Sequence, residues 1–272
     1  MGERVRLNVS GGVATVTLSR ADKRNALDLS AFEQIVAAGE QLGADNRVRA
    51  VVLHGEGPDF CAGLDVMGVM ADPGAVQKLL TRNPDVSSAN LAQRVARIWR
   101  ELKVPVVAAL HGSVLGGGLQ IALGADMRVV HPAAKLCVME IHWGLIPDMS
   151  ASLTLPELVG RDRALELTLS GRVLSGIEAF ELGLATKLAD EPLEAAASLA
   201  ADIAARSPDA VRGIKEIFSA REASDASRLL IEERIQRRIL GSKNQWEAVS
   251  ANLEKRPGVF EEPMPEPPDS SG

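Results

Sequence analysis

From Val104 to Ala125 the chain carries no Lys, Arg, Asp or Glu, a run of 22 residues. A charge-free run of that length either crosses a bilayer as one helix or is buried inside a protein. Five glycines decide between the two: Gly112, the triplet Gly116, Gly117 and Gly118, and Gly124, with the polar His111 and Gln120 beside them. Each glycine costs a helix interior about 1 kcal/mol relative to alanine. The run therefore reads as a buried strand over residues 104–110, a glycine turn and the start of a buried helix, with no membrane expected.

Around this run the first part of the chain alternates short strands and helices. Residues 4–10 and 13–19, joined by Gly11 and Gly12, predict a hairpin, the second arm setting Val13, Thr15 and Thr17 against Ala14, Val16 and Leu18. Ser30, with Glu33 three residues on, predicts a capped helix running to about Leu42. Residues 49–54 read as a short buried strand closed by a turn-rich segment. The stretch 71–88, with Pro73, Gly74 and Pro84, reads as a loop. A helix is expected over 88–102 and a further strand over 127–130.

After about Asp148 the apolar residues recur at helical spacing, over 150–158, 162–169, 175–182, 191–205, 208–219 and 224–240, and only 185–188 reads as strand. The expected organisation is an α/β core over 1–200, a helical region over 201–260 and a proline-rich, disordered tail over 261–272.

Composition narrows the chemistry. With 30 Lys and Arg against 36 Asp and Glu the net charge is −6, and aromatic residues make up 3% of the chain, so a nucleic-acid partner is not expected. Cys61 and Cys137 are too few for a disulfide framework or a cysteine-based zinc site, and the four histidines show no metal-ligand spacing. Both cysteines read as packing residues. The opening MGERVRLNVS lacks the layout of a signal peptide, and a reducing cytoplasm is the expected location.

Two strand-to-helix turns carry the chemistry. Asp59-Phe60-Cys61-Ala62-Gly63-Leu64-Asp65 follows the 49–54 strand, and His111 to Gln120, with the glycine triplet, follows the 104–110 strand. Adjacent glycines let a ligand approach main-chain N–H groups that a Cβ would obstruct, and a helix N-terminus beyond them favours negative charge. One N–H from each turn, aimed at a common oxygen, makes an oxyanion hole.

These segments resemble the signature stretches of the crotonase, or enoyl-CoA hydratase/isomerase, superfamily: FCAGLDV, HGSVLGGGLQIALGADMRVV and MEIHWGLIPDMSASLTLPELVG, preceded by the R-x-x-x-x-N-A-L pattern at Arg20 to Leu27. The likeness runs in order from about residue 5 to 257. It implies a spiral of ββα units with a helical C-terminal trimerisation region, a coenzyme A thioester as ligand, and no cofactor besides the coenzyme A of the substrate. It places the oxyanion N–H groups on Leu64 and Gly117 and the Ala62 loop against the adenine. Lys23 and Arg24 would lie near the CoA phosphates, and Asp65, Gly116 and Gln120 also on the substrate side. Trimers, or hexamers of paired trimers, are implied for the assembly.

The acids decide the reaction. Hydratases of the family carry a glutamate where this chain has Gln120, and an amide cannot act as a general base toward water. Their second glutamate matches Glu140, and eight residues later stands Asp148, as in members resembling dienoyl-CoA isomerases. Those members usually also have an aspartate at the Gln120 position. Gly144 and Pro147 break a continuous helix between Glu140 and Asp148, so the chain can fold back and bring both acids to one cavity, with Trp143, Leu145 and Ile146 as apolar surroundings. The expected activity is a double-bond shift in an enoyl- or dienoyl-CoA thioester through an enolate, with Glu140 and Asp148 as the catalytic pair. Hydration of a 2-enoyl thioester is the alternative reaction, and acyl-CoA binding without turnover the alternative of another class.

Overall fold

The computed structural model describes residues 2–84, 87–220 and 224–265. It opens with the expected hairpin: β1 (Val5–Ser10) pairs antiparallel with β2 (Val13–Leu18), and Gly11 and Gly12 both take positive φ, as a tight two-residue turn requires. Then come α1 (Leu29–Ala44), β3 (Ala50–Gly55), α2 (Val66–Met70), α3 (Pro73–Leu80) and α4 (Leu91–Glu101). The charge-free run supplies β4 (Val106–Leu110), β5 (Ser113–Leu115) and the buried α5 (Gly117–Gly124), followed by β6 (Met127–Val130) and β7 (Lys135–Cys137). The remainder is α6 (Ala151–Val159), α7 (Arg161–Ser170), β8 (Leu174–Ser175), α8 (Gly176–Glu181), β9 (Lys187–Leu188) and α9 (Pro192–Ala204). Three helices end the chain: α10 (Pro208–Ser219), α11 (Asp225–Ile239) and α12 (Lys243–Glu254). Among the described residues no helix is long and apolar enough to cross a membrane.

Six strands form one sheet in the order β1-β2-β3-β4-β6-β9, parallel from β2 onward. A second sheet, β5-β7-β8, is extended by single bridges from Val114 to Cys61 and from Leu64 to Leu27. From β3 to α6 the chain repeatedly lays a strand in the first sheet, a strand or bridge in the second, then a helix, which is the expected ββα repeat, whereas β9 passes directly to α9. Because side chains alternate along a strand, β3 serves two cores. Val51 and Leu53 face the main core with Phe32, Trp99 and Leu119, whereas Ala50 and Val52 join Val107, Ala109 and Val129 beneath Ala196, Ala200 and Ala204 of α9. Full burial of each Val or Leu is worth about 1.5–3 kcal/mol.

Several local expectations are corrected. The cap of α1 is Asp28, whose carboxylate accepts the Ala31 N–H at 2.9 Å, and not Ser30; Asp28 is also fixed by Arg4 at 2.8 Å, a partner no local pattern reveals. Part of the expected loop at 71–88 is α3, because Pro73 stands in the first turn of a helix capped by Asp72, where a missing N–H is harmless. Helix α4 is capped by a box between Asn90 and Gln93. Beyond Asp148 there is a second short strand, β8.

The C-terminal helices are tied to the core through Lys215 of α10, which is buried and donates to Asp126 Oδ2 at 2.7 Å and to the carbonyls of Val104 and Trp99 at 3.0 and 3.2 Å. Burial pulls its pKa down against the pull of Asp126. Of the expected tail, residues 266–272 lie outside the described residues. The part before them runs along α10 and α12, where Glu261 N–H donates to Asn244 at 2.9 Å and Met264 N–H to Asp209 at 2.7 Å.

Candidate active site

The two glycine-bearing turns are laced together by the segment that precedes α1. Asn25 is buried at positive φ, and its Nδ2 donates to the carbonyls of Glu56, Asp59 and Phe60 at 3.0, 2.9 and 3.2 Å. Its Oδ1 accepts the Arg20 N–H at 2.9 Å. Further along, Ala62 N–H donates to Arg24 O, Leu27 N–H to Gly63 O and Asp65 N–H to Leu27 O. On the other side Cys61 N–H donates to Ser113 O and Leu115 N–H to Cys61 O, both at 3.0 Å. The 61–65 segment is therefore held by backbone bonds between 24–27 and β5.

This lacing brings the expected oxyanion groups together. Gly63 has φ of 89°, and a Cβ built there would lie 2.8 Å from Leu115 O and 3.6 Å from Gly117 N. The Gly63–Leu64 peptide passes beside the first N–H of α5. Among the described residues, neither the Leu64 nor the Gly117 N–H has a protein acceptor. Close approach is set by Gly118, where a Cβ would meet Cys61 O at 2.6 Å.

Glu140 begins a single 3-10 turn over Glu140–Trp143, closed by Gly144 at φ of 67° and by Leu145 N–H donating to Glu140 O. The helix is broken there, as Gly144 leads one to expect. The Glu140 carboxyl lies over the N-terminal end of α5: its Oε1 is 3.4 Å from a Cβ built on Gly116 and accepts from Gln120 Nε2 at 2.6 Å. Its Oε2 is buried without a partner among the described residues. Burial pushes the Glu140 pKa up, the charge of Asp148 adds to it, and the Gln120 amide and nearby N–H groups act against it. Burial also raises Asp148. Two acids that burial holds back from ionising, one of them also under the charge of the other, are fitted to take up and return protons.

The apolar surroundings differ from expectation. Trp143, Leu145 and Ile146 are 60%, 51% and 76% exposed, so the water is excluded from Glu140 by α5 and its neighbours instead. Asp148 does not cap α6, whose cap position is Ser150 at φ of 73°.

The remaining expected ligand residues divide. Lys23 is exposed and Ala62 half-buried on the same edge. Arg24, half-exposed, pairs with Asp59 at 2.8 Å and donates to Ser113 Oγ. That pairing draws the Asp59 carboxyl down to about 2. Asp65 caps α2, accepting Gly68 N–H at 3.1 Å and Arg20 at 2.9 Å, which ties it to the scaffold of the turn. Gln120 is buried, with both ends of its amide on protein partners, Glu140 and the Met149 N–H. Gly116, at φ of 49°, opens α5 beneath Glu140. His142 donates to Gly171 O at 2.8 Å. Cys61 and Cys137 are buried; burial pushes the Cys61 thiol up to about 12, far from a reactive thiolate.

Asn25 is marked in the sequence only as the asparagine of the R-x-x-x-x-N-A-L pattern, and its part in lacing the turns emerges only from the fold. A cavity of about 520 Å³ lies elsewhere, between α5, α6 and α10, and its lining of Leu123, Leu158, Ile214 and Phe218 includes none of the site residues. Chemistry, not volume, locates this site. No group of three or more His, Cys, Asp or Glu that would hold a metal ion occurs among the described residues.

Known proteins resemble this chain in sequence and fold. The family described as Enoyl-CoA hydratase/isomerase matches residues 8–263. The chain is 31% identical over 263 residues to the 1,2-epoxyphenylacetyl-CoA isomerase of Escherichia coli, covering 96% of this chain and 99% of that protein. It is 34% identical over 212 residues to the mitochondrial Delta(3,5)-Delta(2,4)-dienoyl-CoA isomerase of Rattus norvegicus, covering 75% of this chain and 64% of the relative. The crystal structure of an enoyl-CoA hydratase from Bacillus anthracis superposes with a TM-score of 0.85 at 28% identity, over 95% of this chain and 99% of that one. Hydratases and isomerases thus stand side by side among the relatives, on one crotonase fold. With its laced turns, its paired acids and a family match over nearly its whole length, the chain is an enzyme of the enoyl-CoA hydratase/isomerase family.

Proposed function

We propose that this enzyme shifts a carbon–carbon double bond within an enoyl- or dienoyl-CoA thioester. The Leu64 and Gly117 N–H groups hold the thioester oxygen as it becomes an enolate oxygen. One carboxylate of the Glu140–Asp148 pair removes a proton from carbon, the electron pair moves into the conjugated enolate, and the other, protonated, acid returns a proton further along the chain. No water is added. What supports this reading is a pair of acids both held back from ionising: burial raises Glu140 and Asp148, and the Asp148 charge raises Glu140 further, which favours one protonated and one ionised member. The amide of Gln120, where a hydratase would present a carboxylate, leaves water without a second base.

In this reading coenzyme A arrives as part of the substrate, no separate cofactor takes part, and the enzyme works in the cytoplasm. Exposed Phe218, Leu229, Leu230 and Leu240 on and after α10 and α11 support assembly into a homotrimer or homohexamer. The test is a panel of enoyl- and dienoyl-CoA thioesters followed by mass and ultraviolet spectrum. Isomerisation changes the spectrum at constant mass. Rapid gain of one water by a 2-enoyl thioester replaces the proposal with hydration.

A further inference from the structure

Gln120 is 1% exposed, yet both ends of its side-chain amide are occupied. Its Oε1 accepts the Met149 N–H at 2.9 Å and its Nε2 donates to Glu140 Oε1 at 2.6 Å. The Met149 N–H can only donate, so the amide has one orientation: oxygen toward Met149, NH2 toward Glu140. Glu140 Oε1 is thereby held as an acceptor, while Oε2 is buried with no partner among the described residues. A proton on Oε1 would confront an N–H donor, so neutral Glu140 must carry its proton on Oε2.

We infer that Gln120 is a positioning residue: it makes Oε2 the one reactive oxygen of Glu140 and locks the Glu140 turn to Met149, beside Asp148. This rests on the proton-transfer role proposed for Glu140. A glutamate at the same place has no N–H to offer. It would set two carboxylate oxygens at hydrogen-bond distance, an arrangement stable only when a proton is shared between them.

The groups that face Glu140 give the direction of the test. The Asp148 charge opposes ionisation of Glu140, and the thiol of Cys137 on β7 is itself held up by burial and by the Glu140 charge. The Gln120 amide and the N–H groups of Met139 and Glu140 favour ionisation. Removing the amide donor therefore moves the Glu140 titration upward.

The experiment follows the Glu140 carboxyl by infrared difference titration of the ligand-free enzyme, with Glu140→Gln as the blank, so it needs no turnover. In Gln120→Met, close in length and without polar donors, the midpoint should rise by about one pH unit. With a thioester substrate, kcat should fall at least about tenfold while KM stays within about twofold. A double variant, Gln120→Glu with Glu140→Gln, restores an amide–carboxylate pair with the roles exchanged; its melting temperature should return to the wild-type value while turnover stays abolished. An unmoved midpoint in folded Gln120→Met, or turnover recovered by the double variant, overturns the inference. If the midpoint moves but the wild type shifts no double bond in any thioester, the positioning role stands and the proposed reaction falls.

Discussion

Replacing Gly118 with alanine tests the junction of the two turns with a single methyl group. A Cβ there would lie 2.6 Å from Cys61 O, 2.7 Å from Cys61 Cβ and 2.9 Å from Cys61 Sγ. Ordinary contact begins at 3.4 Å, so the backbone of the 61–64 segment and the first turn of α5 must part by about 0.8 Å, the difference between 3.4 and 2.6 Å. That displacement falls between the Leu64 and Gly117 N–H groups. A shift of about 1 Å in a reacting geometry costs about 10²-fold in rate, and loss of one oxyanion donor about 10²–10³. Stability changes less. Overpacking costs about 1–3 kcal/mol, and alanine returns about 1 kcal/mol in a helix, leaving a drop of a few degrees in melting temperature. The assay is steady-state turnover of whichever thioester the panel identifies, beside a thermal melt. We expect kcat to fall about 10²-fold with KM little changed. Adding Cys61→Ala should give no rescue, because the two nearest atoms, Cys61 O and Cβ, remain. A folded Gly118→Ala enzyme with turnover within about threefold of wild type would refute the argument that these turns form the oxyanion site.

Glu140→Gln should lower kcat by at least about 10²-fold with CoA-ester binding preserved. In the wild type the acid limb of kcat/KM should lie above the ordinary 4.5 of a glutamate, activity being lost as pH falls through it, because burial keeps the acid protonated to higher pH. Asp148→Asn should abolish isomerisation of a 3,5-dienoyl thioester and, by removing a neighbouring charge, lower the Glu140 titration; retained isomerisation counts against the acid pair. Asp59 ionises at about 2 in the fold against 3.8 in the unfolded chain, chiefly through Arg24. Its contribution, roughly 2 kcal/mol, is present above the unfolded value and lost as pH falls through the folded one. Asp59→Asn should therefore lower the melting temperature near neutrality and flatten its decline over that acid window. Light scattering at micromolar concentration should show an oligomer, and a stable monomer would contradict the exposed apolar helices.

Much of the frame was legible because its signals are local. β1 and β2 alternate at period two around Gly11 and Gly12, and β4 followed by α5 is readable from five glycines in a charge-free run. Where the structure depends on a distant partner, local reading stops. β5, β7 and β8 have three, three and two residues, too short for periodicity, and exist because each finds backbone groups of a neighbour. The choice of Asp28 over Ser30 as the α1 cap is made by Arg4, 24 positions away. Pro73 and Gly74 read equally as a loop or as the first turn of α3, and the Asp72 cap decides it.

The site follows the same division. Flexible turns and acids are recognisable by type, but what a polar side chain does depends on what it reaches. Arg20 takes Asp65 from 45 positions away, Arg24 takes Asp59 from 35 and Gln120 takes Glu140 from 20. Each of these pairs fixes a side chain through a partner that no local pattern names. The apolar residues invert the pattern. Trp143, Leu145 and Ile146 are adjacent to Glu140 in sequence yet point their surface to solvent, so composition around the acid overstates the shielding they give it. The shielding comes from the start of α5: the carboxyl lies beside Gly116, where a Cβ would stand in ordinary contact 3.4 Å from Glu140 Oε1, and Gln120 Nε2 holds the same oxygen at 2.6 Å. One stretch, Gly116 to Gln120, thus meets both halves of the proposed proton transfer: its first N–H groups face the 61–64 segment and its Gln120 amide holds the Glu140 carboxyl.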